Sequence, residues 1–413
     1  MGPVGGGPGL THGGPMGLRE ARELVPVVLG WLRRPDPEAF LGDLAAMPPS
    51  RHAALRHLLT NQGLAPLVAD AVAEGSGAAG APADASGGDP HGAQWAATDT
   101  VRWPAVQLDQ NRARMAAFAA DLAAVLAGAA AAGIPVMPLK GGLLAFTRYR
   151  EPALRPMADI DLLVRPADEP GLHAVLERLG YGLVDPADTR HRSFSRPGEG
   201  VAAHDGTHPG NPREVEVHTR LLRSVWLDRG GVDLAPYLWA AAEEGRLLGQ
   251  PAMVPTDAAL VTDLASHATL HLMRGSGMLL HWRDVAHVAT GVGELDEAFA
   301  AWAYPALALA ARALPGGGLP AKVERLAPAA GAGLAALAAR VPLDDRAGLN
   351  LQGVQASSLP WLRSRWRRWR PNPWLVRLAN PGLPAPAAYP VYLGRVGARA
   401  ARKAARAVLG GGR

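Results

Sequence analysis

Hydrophobic and polar positions follow two different periods along this chain. Residues 18–75 carry apolar side chains at helical spacing, and Asp36 before Pro37 is a typical N-cap in front of a first-turn proline. A further long helix is predicted after Pro104, ending at Gly133. The first third of the chain is therefore predicted to be helical.

Turn-forming residues precede and interrupt this helical part. Residues 1–17 are rich in glycine and lack the basic and apolar regions of a signal peptide, so we expect a disordered leader. Residues 75–94 are rich in Gly, Ala, Pro and Asp, which predicts a flexible loop. The predicted N-terminal helical region is therefore 18–132, with this loop inside it.

The period changes over residues 133–255. Short apolar or alternating runs predict strands, and amphipathic spacing predicts helices between them. The predicted strands are 134–140, 157–164 and 213–221. One intervening helix begins at the Gly141-Gly142 pair, and the other ends at Gly180. The order strand, helix, strand, helix, strand indicates an α+β core.

Helical spacing returns after this core, which predicts a C-terminal helical region over residues 256–350. The remaining segment, 351–413, contains twelve basic and no acidic residues, with tryptophans among the arginines of 361–377. The net charge of the chain is only +5, so the body is acidic overall. This basic tail either docks on the body or binds nucleic acid or a membrane surface.

Composition excludes several classes of protein. The chain has no cysteine, which excludes disulfides, thiolate zinc sites and cysteine nucleophiles. The Ala-rich stretch 115–132 is the nearest candidate for a membrane span, but it carries Asp121, so no transmembrane span is predicted. We expect a cytoplasmic location. The chain has neither a Walker loop nor the protein-kinase motifs, which disfavours a kinase.

Two aspartates on the middle predicted strand indicate a metal site. Asp159 and Asp161 share one face of the strand, while Ile160 and Leu162 point to the other. Two carboxylates held this way repel each other and favour a shared divalent cation, and oxygen ligands suit Mg²⁺ or Mn²⁺. Glu216 on a neighbouring strand would complete a three-carboxylate site, which can hold metal and deprotonate an attacking hydroxyl.

The Lys140-Gly141-Gly142 sequence predicts anion binding. Lys140 is one of only three lysines among 42 basic residues, and it lies between a predicted strand and a predicted helix. Glycines let backbone N–H groups approach an anion, and a helix N-terminus attracts phosphate. A lysine at this point adds a positive charge for a polyphosphate.

Three histidines carry weaker signals. His218 is either a partner of Glu216 or an exposed strand residue. His267 and His271 have the i, i+4 spacing of zinc sites, but no glutamate follows His267 as in metalloproteases. Their apolar neighbours favour core histidines.

Together these motifs resemble the nucleotidyltransferase fold of the DNA polymerase β superfamily. They resemble more closely a bacterial family labelled uncharacterised nucleotidyltransferase. The resemblance covers roughly residues 105–290. It lies in Asn111, Leu139-Lys140-Gly141, Tyr149, Arg155, Asp159 to Val164, Leu179-Gly180-Tyr181, Glu216-Val217-His218 and, more weakly, His267, His271 and Trp282-Arg283-Asp284. Gly142 stands where the superfamily usually has serine.

The resemblance implies a fold, a reaction and a set of residues. The fold is a small mixed sheet with helices, flanked by the two helical regions. The reaction is transfer of a nucleoside monophosphate from an NTP to an acceptor, with pyrophosphate leaving. The implied catalytic and metal-binding residues, with Mg²⁺ or Mn²⁺ as cofactor, are Asp159, Asp161 and Glu216. The implied nucleotide-binding residues are Lys140, Gly141, Gly142 and Arg155, of which Arg155 steadies the triphosphate or pairs with Asp159.

The sequence leaves the identity of the acceptor open. The resemblance admits a small molecule, a peptide or a protein as the acceptor. Genes of the family that the chain resembles often accompany peptide natural-product clusters, which suggests a tailoring enzyme. A toxin-type nucleotidyltransferase acting on RNA or protein is an alternative that the basic tail favours, although such toxins are usually smaller. A non-catalytic nucleotide-binding protein is another, favoured by the missing hydroxyl at Gly142.

Overall fold

The protein is described by a computed structural model over the following residues: 18–34, 36–76, 92–184, 191–196, 207–223, 231–351 and 373–410. The predicted leader 1–17, most of the predicted loop and residues 352–372 of the tail lie outside these ranges. The described chain is α+β, with a small mixed sheet between an N-terminal and a C-terminal set of helices. The predicted fold class is confirmed.

Helices form both ends of the described chain. The N-terminal helices are α1 (Leu18–Arg33), α2 (Pro37–Ala46), α3 (Pro49–Asn61), α4 (Ala65–Ser76) and α5 (Gly92–Ala131). The core contains α6 (Lys140–Thr147), a 3-10 turn (Pro152–Leu154), α7 (Glu169–Arg178) and α8 (Ala235–Ala240). The C-terminal helices are α9 (Asp257–Arg274), α10 (Leu279–Gly291), α11 (Ala300–Ala313), α12 (Leu319–Ala330), α13 (Ala332–Ala338), α14 (Pro373–Leu378) and α15 (Ala385–Gly410).

A five-stranded sheet forms the centre of the core. Its strands are β1 (Met137–Pro138), β2 (Asp159–Leu163), β3 (Gly182–Leu183), β4 (Arg192–Ser195) and β5 (Glu214–His218), in the order β1-β2-β5-β4-β3. Strands β2 and β5 are parallel, and the other neighbours are antiparallel. Two separate pairs follow: β6 (Leu222–Arg223) with β7 (Val232–Asp233), and β8 (Ala242–Leu247) with β9 (Gln250–Pro255).

The two central strands bury one face, as their alternating sequences predict. Ile160 lies opposite Val215, and Leu162 lies opposite Val217, and all four side chains are buried in the core. Because side chains alternate along a strand, the residues between them point to the other face. The acidic residues of both strands are therefore presented together.

Helix α5 differs from its prediction. It begins at Gly92 and passes through Pro104, whereas the sequence predicts a start after that proline. A proline removes one backbone hydrogen bond of the helix, and contacts with α3, α4 and the 3-10 turn hold the rest of α5 in place. The predicted start of this helix is therefore wrong, and residues 92–94 belong to a helix rather than to the predicted loop.

The same helix is the candidate for a membrane span within the described ranges. Residues Arg102–Ala131 are long and apolar enough, but 44% of the apolar window is already buried inside the protein. Leu108, Met115, Phe118 and Leu122 all lie in the hydrophobic core. A core helix passes the same length and composition test, so this one helix is weak evidence for a span.

One further sequence signal is confirmed. The Asp36 carboxylate accepts hydrogen bonds from the backbone N–H groups of Glu38 and Ala39, so it caps α2. The basic C-terminal segment ends in a helix, α15. Helix α14 contacts both α13 and α15 and buries Leu375 and Val376, so this part of the tail packs on the body.

Candidate active site

A cavity of about 940 Å³ lies beside the polar face of the sheet. Its lining includes Asp159, Asp161 and Glu216 from the two central strands, with Lys140 from the start of α6. Helices α3, α9 and α10 and the segment after β5 supply much of the remaining lining. The polar groups that the sequence singles out therefore share a cavity in the size range of small-molecule binding sites.

Parallel pairing of β2 and β5 brings the three carboxylates together. Asp161 lies directly opposite Glu216 in the register, and Asp159 lies two residues before Asp161 on the same face. The sequence predicts that a neighbouring strand supplies Glu216, and the register shows that β5 is that neighbour.

Asp161 accepts hydrogen bonds from two side-chain nitrogen groups. Lys140 Nζ donates to Asp161 Oδ1 at 2.6 Å, and His218 Nε2 donates to the same oxygen at 2.9 Å. Burial alone would raise the pKa of Asp161, but the charge of Lys140 and the hydrogen bond from His218 outweigh it. The pKa of Asp161 is therefore held well below its ordinary value.

The pKa of Asp159 is shifted in the opposite direction, above its ordinary value. Burial, reinforced by the negative charge of Asp161, raises the pKa of Asp159 to about 7. Lys140 offsets only part of this effect. The neighbouring carboxylates therefore have very different proton affinities, a pattern typical of sites that bind cations or move protons.

Glu216 lies between two histidines. His191 Nε2 lies 3.2 Å from Glu216 Oε1, and His218 Nε2 lies 3.5 Å from Glu216 Oε2. Burial would raise the pKa of Glu216, but the hydrogen bonds from His191 and His218 lower it to about 2. His218 is thus a partner of both Glu216 and Asp161 and is buried, which decides between the two interpretations that the sequence left open.

Sequence reasoning missed His191. It precedes β4, whose register pairs Arg192 with Val217, so His191 continues the ladder opposite His218. Only the alternation of Phe194, which is buried, with the more exposed Ser193 and Ser195 marks this short strand in the sequence.

Lys140 begins α6 with an unusual backbone. Its φ is +44°, in the left-handed region that a side chain with a Cβ adopts rarely. Burial lowers the pKa of Lys140, but Asp161 and Asp159 raise it further, so the ammonium group stays charged. The backbone conformation directs this charge toward the carboxylates rather than into solvent.

The two glycines after Lys140 have different surroundings. A Cβ added at Gly141 would overlap the guanidinium of Arg155 and lie 3.0 Å from Met157 Cβ. A Cβ at Gly142 would meet nothing closer than Ile160 Cγ2 at 3.8 Å, on the core side. Gly141 is therefore required by close packing against Arg155, whereas Gly142 is not.

Alanine substitutions test this difference. We expect Gly141→Ala to lower the melting temperature and any activity of the site, because Arg155 must move. Gly142→Ala is the matched control, and we expect it to be neutral or stabilising by up to about 1 kcal/mol, since alanine favours a helix. Equal losses of melting temperature in the two variants would contradict the packing account.

Arg155 forms a buried ion pair with Asp284 on α10. Its Nη2 donates to Asp284 Oδ2 at 2.8 Å, and the Tyr149 hydroxyl donates to Asp284 Oδ1 at 2.7 Å. The guanidinium of Arg283 lies 5.0 Å from the centre of the Tyr149 ring. Arg155 also lines the cavity beside Gly141, but its ion pair is with Asp284 rather than with Asp159.

Asn111 supports the same region from α5. Its Nδ2 donates to the Ala153 carbonyl in the 3-10 turn at 2.6 Å, and Asn111 is fully buried. Asn111, Tyr149, Arg155 and Asp284 belong to the motifs that carry the family resemblance. In the structure these side chains tie the segment before Asp159 to the helices on either side.

Three histidines from α9 and α10 line the cavity. The ring centres of His267, His271 and His281 lie 4.4 to 5.8 Å apart. Burial lowers the pKa of His271 to about 4, and it lowers the pKa values of His267 and His281 well below their ordinary range. These imidazoles are therefore neutral at pH 7, and the prediction that His267 and His271 are ordinary core histidines omits their contact with the cavity.

These buried imidazoles predict a pH dependence of stability. The unfolded chain takes up protons on His267, His271 and His281 as the pH falls below about 6.5, whereas the folded protein resists doing so. The contribution of these histidines to stability is therefore expected to be complete above about pH 6.5. It is expected to fall toward pH 4, by up to about 1.4 kcal/mol per pH unit for each histidine. Asp159 acts oppositely, since its raised pKa favours the folded state as the pH falls below 7.

Thermal unfolding between pH 4 and pH 7.5 measures this slope. We expect His281→Gln to flatten it, because glutamine does not titrate. His173→Gln is a matched control, since His173 lies on α7 away from the cavity and its pKa is shifted less. A slope that His281→Gln leaves unchanged would contradict the assignment of a neutral, buried His281.

Comparison with known proteins identifies the class of this chain. The sequence model of the family described as uncharacterised nucleotidyltransferase matches residues 51–299, more than half of the chain. The chain therefore belongs to this nucleotidyltransferase family. The matched residues include the three carboxylates, Lys140 and the histidines of α9 and α10. No curated protein and no solved structure matches the chain significantly.

Proposed function

We propose that this protein transfers a nucleoside monophosphate from an NTP to an acceptor and releases pyrophosphate. The observation that carries the proposal is the convergence of Asp159, Asp161 and Glu216 with Lys140 at one cavity, in a chain of a nucleotidyltransferase family. The resemblance of the same motifs to the DNA polymerase β superfamily supports the proposal.

The donor set fits a divalent cation. Three carboxylates on adjacent parallel strands face the cavity, and oxygen ligands suit Mg²⁺ and Mn²⁺. Asp159, Asp161 and Glu216 would hold the metal, which when bound neutralises triphosphate charge and lowers the pKa of a bound hydroxyl.

The protein's own groups have separate roles in this proposal. Lys140 would exchange its contact with Asp161 for the tail phosphates of the NTP, helped by backbone N–H groups of Gly141 and Gly142 at the start of α6. Glu216 would share the metal or accept the proton of the acceptor hydroxyl. Arg155, fixed by Asp284, would steady the triphosphate through the face that it turns toward Gly141.

The acceptor would lie toward α9 and α10. The neutral imidazoles of His267, His271 and His281 line the same cavity, and neutral imidazole both donates and accepts hydrogen bonds. This lining suits a hydroxyl or amide group of a small molecule, a peptide or a protein. A role in natural-product tailoring is part of the proposal through the family resemblance. A cytoplasmic location is part of it because the composition is compatible with one.

A transfer assay tests the proposal. The protein is incubated with each NTP labelled on the α-phosphate, with Mg²⁺ or Mn²⁺, and with cell extract as the acceptor pool. We expect label to enter a product, and a chelator to prevent this. If no label enters a product while NTP binding is measurable, the protein is a nucleotide-binding protein instead, and the proposed reaction is wrong.

A further inference from the structure

The polar face of the sheet carries nitrogen donors beside its carboxylates. His218 lies two residues after Glu216 on β5, so both side chains point to the same face. The antiparallel register of β4 and β5 places His191 opposite His218. The two imidazole rings lie 5.1 Å apart between their centres, on either side of the Glu216 carboxylate.

The ligand atoms of these three residues converge. His191 Nε2 and His218 Nε2 lie 3.2 and 3.5 Å from the two oxygens of Glu216, and one ligand atom of each residue lies within 4.8 Å of the others. Ligands bound at about 2.1 Å to one metal ion lie roughly 3 to 3.5 Å from each other in tetrahedral geometry. The spacing therefore matches ligands of a common ion after small side-chain movements.

The three side chains are also held in place. The side chains of His191, Glu216 and His218 are between 10% and 19% exposed, so they reach the cavity from a packed sheet. His218 Nε2 also donates to Asp161 Oδ1 at 2.9 Å, and a metal bound to this nitrogen would replace that hydrogen bond. Ligands on neighbouring strands lose little freedom on binding a metal, because the sheet already fixes their spacing.

The chemistry of this set differs from that of the three carboxylates. Two imidazoles and one carboxylate favour Zn²⁺, Co²⁺ and similar transition metals, whereas Mg²⁺ prefers oxygen ligands alone. Among the described residues, the histidine cluster of α9 and α10 differs from this set, because its ligand atoms do not all lie within 4.8 Å of one another. That cluster lines the same cavity, so it serves as an internal control.

We propose that His191, Glu216 and His218 form a binding site for a divalent transition-metal ion of the zinc class. Glu216 is shared with the proposed nucleotidyl-transfer site, so a metal bound here would lie next to the reacting groups. The inference concerns metal binding itself and does not require that the chain transfers nucleotides.

Cobalt binding tests the inference directly. The full chain, without a polyhistidine tag, is stripped with a chelator and titrated with Co²⁺ while the visible absorption of protein-bound cobalt is recorded. We expect about one Co²⁺ per chain, displaced by Zn²⁺ and retained in millimolar Mg²⁺. His191→Gln and His218→Gln are each expected to weaken Co²⁺ binding at least about tenfold.

A third variant shows whether Co²⁺ binding is specific to these residues. His281→Gln removes a cavity histidine outside the set and is expected to leave Co²⁺ binding unchanged. Circular dichroism checks the fold of each variant, and His191→Asn replaces His191→Gln if the latter unfolds. Absence of Co²⁺ binding, or an equal loss in His281→Gln, would overturn the inference.

The outcomes also separate this metal site from the proposed function. Transfer supported by Mg²⁺ without Co²⁺ binding would overturn the metal site and leave nucleotidyl transfer standing. If the original protein binds Co²⁺, the His191 and His218 variants lose this binding, and no NTP supports transfer, the metal site stands and the proposed nucleotidyl transfer is overturned.

Discussion

Asp161→Asn is expected to lower nucleotidyl transfer at least about a thousandfold. Asp161 is the carboxylate that Lys140 and His218 both contact, since each donates to the same oxygen. Asparagine has nearly the same shape but no charge, so it would neither hold a divalent metal nor keep Lys140 in place. The rate of label transfer from an α-labelled NTP measures the effect.

The fold of this variant is expected to survive. Lys140 is 16% exposed at the cavity, so its ammonium group has a route to water when its partner is neutral. Loss of the charge at Asp161 also relieves repulsion with Asp159. Asp43→Asn, at an exposed position on α2, is the matched control and should leave transfer and melting temperature unchanged. Transfer within tenfold of the original rate in a folded Asp161→Asn variant would refute the metal-binding role.

Asp284→Ala is expected to cause a large loss of stability, about 3 to 5 kcal/mol. Asp284 is 2% exposed and pairs with Arg155, whose side chain is also buried. Removing the carboxylate leaves a buried guanidinium without its partner and takes an acceptor from the Tyr149 hydroxyl. Thermal unfolding measures the loss, and activity should fall with it because Arg155 borders Gly141.

A second substitution distinguishes a buried charge from lost packing. Adding Arg155→Met to Asp284→Ala removes the unpaired charge and is expected to recover part of the melting temperature. Glu23→Ala is the surface control, because Glu23 pairs with arginines at exposed positions and should contribute less than about 1 kcal/mol. If Asp284→Ala lowers stability no more than Glu23→Ala does, the ion pair between Arg155 and Asp284 does not stabilise the fold.

The local patterns of the central strands could be predicted from the sequence. Alternation of Ile160 and Leu162 with aspartates, and of Val215 and Val217 with Glu216, indicates both the strands and the faces that they bury. The relation between strands could not be predicted in the same way. Register depends on contacts between distant residues, so the pairing of His191 with the central strand has no local signal.

The partners of the charged residues could not be predicted either. Lys140 contacts Asp161 across 21 residues, and Arg155 contacts Asp284 across 129 residues. A sequence shows that such charges exist but not which of them meet. The predicted contact of Arg155 with the triphosphate therefore stays a prediction, while its ion pair with α10 is an observation.

The β8–β9 hairpin shows another limit of pattern reading. Consecutive exposed glutamates, Glu243 and Glu244, and Gly245 break the alternation that indicates a strand. The hairpin forms around Leu248 and Gly249, both with positive φ, which suits the tight turn between twisted strands. A leucine in that conformation gives no turn signal in the sequence.

The position of the label in the product tests the central claim most directly. Parallel reactions contain the same NTP labelled on the α-phosphate or on the γ-phosphate, with the acceptor identified in the extract. Nucleotidyl transfer predicts that the α-label stays with the product and that the γ-label leaves as pyrophosphate. A product that carries the γ-label and not the α-label would show phosphoryl transfer and contradict the proposed reaction.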